Sequence, residues 1–188
     1  MCSLILQLQS AMSFRGIVDR LLGRSSKSSD DTMPFSIVLL LKEPKRFTKE
    51  ELQAAAESAW GKKFDGTEDP MYFVFQQGEF TIVKPGAHVI SVLRQPHPYA
   101  ANSEQSVGWL PQPEQKKAWL DHTAWVSLDL VNSTLPCDEA YKLLATLALH
   151  LISANCSGIY LPKDSMLFPN DGTVEEGLYR MQRGRLHE

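Results

Sequence analysis

The chain has 188 residues, 43% of them hydrophobic and 22% charged, with a formal charge of −3. That length buries most of an unfolded chain's apolar surface in one domain without help from disulfides or metal. The small charge removes any electrostatic case for nucleic acid or an acidic membrane as partner. The three scattered cysteines, Cys2, Cys137 and Cys156, have no Cys-x-x-Cys spacing, which counts against a zinc knuckle or a disulfide framework.

A reducing cytoplasm is the compartment expected for such thiols. No apolar run reaches the roughly 18–20 residues of a membrane span. Leu4 to Leu8 is broken by Gln7 and has no basic segment before it, so it makes a poor secretion signal. Residues 1–33 read as an appendage to a single domain spanning 34–188. Within them, Phe14, Ile17, Val18, Leu21 and Leu22 recur at helical spacing opposite Arg15, Asp19, Arg20 and Arg24. This short amphipathic helix over 12–23 would dock on its own domain or on a twin; the alternative is contact with a membrane surface. The serine-rich stretch 25–31 is a linker by composition, and Met12 offers an alternative start.

The folded part opens with Phe35 to Leu41, a continuous apolar run of strand length that predicts a central strand covered on both faces. Thr48 and Glu51 are spaced as a capping box, and the helix that follows puts Leu52, Ala55, Ala56, Ala59 and Trp60 on one stripe before Gly61 stops it. Strand-like runs follow at 71–75, 80–84 and 88–93. Gln76 to Glu79 and Pro85-Gly86 supply the turns, so the three should pair antiparallel. Residues 94–113 form a long irregular connection with four prolines. Pro113 suits the first turn of a helix running to about Asp121. A second strand-helix-strand-strand unit then predicts a strand at 123–131, a largely apolar helix from Pro136 to about Ala154, and strands near 158–161 and 165–168. The expected fold is α+β: a mixed, largely antiparallel sheet of about six or seven strands, helices mainly on one face, and a possible duplicated unit.

Several side chains invite a chemical reading. His122, Ser127 and Asp129 have the residue types of a nucleophilic triad. However, Ser127 is mid-strand without a glycine-flanked elbow, and Asp129 would have to orient His122 across it. His88, His97, His122 and His150 show no ligand spacing for a metal. Cys137 falls in a helical first turn, where the dipole lowers a thiol's pKa. The glycines are isolated at turns and cradle no phosphate, and no motif implies a cofactor. The 94–113 connection is the more promising surface. Arg94, His97, Tyr99 and Trp109 are types that dominate binding hot spots, although the aromatics could equally pin the loop to the sheet. His122 and Asp129 complete the candidate binding set.

Three stretches together resemble a group of bacterial proteins classed as domains of unknown function. They are Ser36 to Pro44 with the capped helix ending Ala59-Trp60-Gly61, His122 to Asp129 with Glu139-Ala140-Tyr141, and Gly158 to Pro162. The resemblance implies a stand-alone cytoplasmic α+β protein; some similar families are immunity partners that neutralise toxins. It implies no catalytic residues. The expectation is therefore a non-enzymatic binding protein with a protein partner. The alternative is an enzyme whose pocket joins His122, Asp129 and the 94–113 loop.

Overall fold

The computed structural model describes residues 34–100, 107–172 and 174–184. The expected helix at 12–23 and its linker lie outside them. Seven strands form one open sheet: β1 (Ser36–Leu41), β2 (Tyr72–Gln77), β3 (Phe80–Pro85), β4 (Ile90–Gln95), β5 (Ala124–Leu130), β6 (Cys156–Leu161) and β7 (Met166–Pro169). The order is β2-β3-β4-β5-β1-β6-β7, and every pairing is antiparallel. The helices are α1 (Lys49–Trp60), α2 (Pro113–Asp121), α3 (Cys137–Ala148) and α4 (Val174–Gln182).

The apolar run of β1 takes the centre, and all six of its residues are buried. It pairs with β5 in a register that puts Ile37 beside Leu128 and Leu39 beside Val126. Each long helix is a crossover: α1 carries the chain from β1 past β5, β4 and β3 to the edge strand β2, and α3 carries it from β5 past β1 to β6. Strand directions alternate, so each crossover is a β-α-β unit, with three strands between the ends of the first and one, β1, between the ends of the second. The strand-helix-strand-strand order does recur, but with different wiring. The first helix leads to the outermost strand of a three-stranded meander, the second to the inner strand of a hairpin.

Residues α1, α3 and α4 contribute to one face of the sheet share a single core with Ile37, Leu39, Val126, Leu128 and Ile159. The capping box of α1 is present in both directions. Thr48 Oγ1 accepts from Glu51 N–H at 3.1 Å, and Glu51 Oε2 accepts from Thr48 N–H at 2.8 Å. Gly61 ends the helix at φ 64°, a left-handed turn that a residue with Cβ adopts only at a cost. The α3 helix ends at Ala148, short of the expected 154. There the bonding tightens: His150 N–H reaches Leu147 O and Leu151 N–H reaches Ala148 O, three residues back. Asn155 clamps the start of β6 to the end of β1. Its side chain accepts from Glu43 N–H at 3.0 Å and donates to Glu43 O at 2.9 Å.

Among the described residues the opposite face is covered on one half only. There α2 lies over β1, β6 and β7, with Ala118 and Trp119 packed against Val38, Leu40 and Leu167. Gly158 permits this approach. A Cβ on it would stand 2.8 Å from Phe168 O, too close for the β7 backbone, and 3.4 Å from Ala118 Cβ, at the edge of ordinary contact with the helix. Among the described residues no helix is long and apolar enough to cross a membrane.

Candidate functional site

The connection after β4 lays its aromatics on the half-sheet that α2 covers. Tyr99 packs edge-on against Trp119, Trp125 and Tyr160, with ring centroids 6.2, 5.2 and 5.4 Å away. Trp109, in a 3-10 turn over Val107–Trp109, meets Trp119 at 5.7 Å and Tyr160 at 5.7 Å. His97 touches the edge of Trp125 at 6.4 Å and stays exposed. The aromatics thus pin the connection to the sheet. Residues 101–106 of the expected loop fall outside the described residues. Trp109 keeps a large free surface, with 40% of it exposed.

His122 is the lock of this assembly. It is 2% exposed; its Nε2 accepts the Tyr99 N–H at 2.9 Å while Nδ1 faces Trp119 O. Accepting at one nitrogen fixes the proton on the other, so the ring is neutral with N–H at Nδ1. Burial lowers its pKa, against a smaller raising effect of the Trp119 carbonyl. Both ring nitrogens are spent on backbone, and neither meets Asp129 or Ser127. As expected from the mid-strand place of Ser127, no triad forms, and the imidazole is a structural clamp between α2 and the connection.

Arg94 is separated from the aromatics by the sheet itself. The register sets it beside Val126, on the helix-covered face with Ile90 and Val92. There it pairs with Glu79 at 2.6 Å and lines a recess with Arg46 and Phe47. The expected strand ended at Leu93; two further residues in β4 give Arg94 a strand parity and hence that face.

Asp129 lies on the face with the aromatics, but over the half that α2 leaves bare. Its carboxylate accepts from Ser127 Oγ at 2.7 Å, and the neighbouring Ser36 hydroxyl, which donates to Pro34 O at 3.3 Å, also favours its charged form. Burial raises its pKa above the usual 3.8, and the two hydroxyls partly offset this. On β4, Ser91 is the register partner of Asp129; it is 5% exposed and its Oγ has no hydrogen-bond partner. The buried Nε1 of Trp125 also lacks one. Orphaned buried donors are rare in folded proteins.

The thiols are quiet. Cys137 is raised by burial first and then by Asp164 and Asp138, which overrides the lowering expected from a helical first turn. Cys156 is pushed up to about 11 by burial. His150 is exposed beyond the end of α3 rather than within a helix. Among the described residues no three His, Cys, Asp or Glu side chains gather to hold a metal ion.

Sequence reasoning missed Trp119, Trp125 and Tyr160 as the floor of the site, and Ser91 altogether. Trp119 had a readable signal, since it precedes His122 by three residues near the end of the predicted helix. Ser91 had none beyond its place in an alternating strand. No family model, no curated protein and no solved structure matches this chain.

Proposed function

We propose that the protein is a non-enzymatic binding protein whose partner is another protein. The observation that carries this reading is Trp109. It is braced by two ring contacts yet 40% exposed. A large aromatic held in place loses little side-chain entropy on docking, which is why tryptophan dominates interface hot spots. Leu120, on the neighbouring α2, is 48% exposed and adds apolar surface next in sequence to the supporting Trp119. Three groups that acid–base or nucleophilic chemistry could use are engaged otherwise or quiet: His122 bonds backbone at both nitrogens, and the Cys137 and Cys156 thiols are raised. The family resemblance adds a class of partner, a toxin that an immunity-type protein neutralises.

The test is affinity capture with wild type and Trp109→Ala side by side, read by quantitative mass spectrometry. The reading expects a protein retained by wild type and depleted at least tenfold on the variant, with the two melting temperatures within a few degrees. Equal retention by a folded variant overturns it.

A further inference from the structure

We propose that Asp129 is the seat for a basic side chain, lysine or arginine, presented by the protein partner. The inference rests on the binding reading above and specifies its chemistry.

The site is built by strand register. On the face away from α1 and α3, Ser36 of β1, Asp129 of β5 and Ser91 of β4 are direct cross-strand neighbours in one row. Ser127 is the next residue on that face of β5, roughly 6–7 Å along the strand. One carboxylate is therefore ringed by three hydroxyls. That of Ser127 donates to it at 2.7 Å, while that of Ser36 beside it donates to Pro34 O at 3.3 Å. The third, Ser91 Oγ, is buried and bonds to nothing.

Among the described residues the ring lacks a cation. The ion pairs among the described residues use other carboxylates. A desolvated carboxylate held only by neutral donors is costly, and an arriving cation is worth most where the local dielectric is low. Asp129 remains partly exposed, so an incoming group can reach it.

The surroundings match the rest of such a side chain. Leu93 and Ile82, register partners of Ser127 and Ser91, are half-buried apolar residues on the same face. They offer a floor for the aliphatic stem, as long basic side chains prefer. The ammonium or guanidinium N–H groups would then bond Asp129 and donate to the unused Ser91 oxygen. An acidic or neutral side chain supplies neither the charge nor enough donors.

The test uses N-acetyl-arginine amide and N-acetyl-lysine amide as probes, with N-acetyl-norleucine amide as the neutral isostere of lysine. Binding is read on the full chain from 15N–1H amide shifts. The expected result is saturable shifts at Ser91 and Asp129 with both cationic probes and none with norleucine. Asp129→Asn should weaken binding at least tenfold and Ser91→Ala about threefold, each variant keeping a folded spectrum elsewhere. Equal shifts from norleucine, or unchanged binding by either folded variant, overturn the proposal. If wild type ignores the cationic probes while Trp109-dependent capture persists, the Asp129 seat fails and the binding reading stands. If the probes bind at Asp129 but capture is independent of Trp109, the reverse holds.

Discussion

The two faces of the sheet are made from the same strands but follow different rules. On the helix-covered face, β1 and β5 present Ile37, Leu39, Val126 and Leu128, all within 1% of complete burial and enclosed by three helices. On the other face, the same two strands present Ser36 and Asp129 at one end, Leu40 and Trp125 at the other, and Val38 beside Ser127 between them. Among the described residues only the second end is covered, by α2 and the aromatic connection. The first face behaves as packing. The second departs from packing rules at the unpartnered Nε1 of Trp125 and, more strongly, where a carboxylate and an orphaned hydroxyl sit together. Local departures that the rest of a fold must offset are where function is usually found.

The comparison breaks most visibly in the core. Leu39→Ala should cost about 3 kcal/mol, because the removed atoms lose their burial and a close-packed site fills a cavity poorly. Urea denaturation measures it, and a loss under 1 kcal/mol would mean that the helix-covered face is loosely packed. His122→Gln should cost less, about 1–2 kcal/mol, mainly by disturbing the bond to Tyr99 N–H. Tryptophan fluorescence should change with it, since Trp119 and Trp125 both pack against the Tyr99 that this bond holds.

The pH dependence of that variant carries a sign. His122 has its folded pKa below the ordinary 6.5, so protonation favours the unfolded chain. Its stability contribution is complete above 6.5 and is lost as the pH falls through the folded value. Wild type should therefore weaken from pH 7 towards pH 5 more than His122→Gln does. Parallel profiles would show that the imidazole is not clamped.

Leu93→Ala on the bare half-face should cost only about 1 kcal/mol, because the side chain is already half solvated. If it costs as much as Leu39→Ala, that half-face is packed as tightly as the other, and the bare region for a partner disappears.

These contrasts explain what could be read in advance. Period-2 alternation put Ser127 and Asp129 on the less apolar face of β5 correctly, and the Thr48–Glu51 spacing located α1 to the residue. Both signals are local. Arg94 was grouped with His97 and Tyr99 because they adjoin in sequence, yet a strand that runs two residues further sends it through to the other face. The end of α3 was missed because nothing in Leu149 to Ile152 breaks a helix; the chain turns there to reach β6, which is a tertiary demand. The orphaned Ser91 depends on three strands meeting in register, and no window of sequence contains all three.

The smallest effect is expected at Asp129 and distinguishes the two faces most sharply. In a well-packed face, replacing a bonded side chain destabilises. Here Asp129→Asn removes a charge that burial disfavours while keeping shape and polarity, so stability at pH 7 should hold or rise by roughly 0–1 kcal/mol. The sign follows from linkage. A folded pKa above 3.8 means that ionisation favours the unfolded chain, so the deficit of wild type is full above the folded value and fades as the pH falls towards 3.8. The advantage of the variant should therefore shrink on acidification, in the direction opposite to the His122 effect, and a urea series at several pH values separates the two. A variant that is 2 kcal/mol less stable at pH 7 would mark Asp129 as a member of the packing, its hydroxyl bonds outweighing the buried charge, and the two faces would then be held together by the same kind of contact.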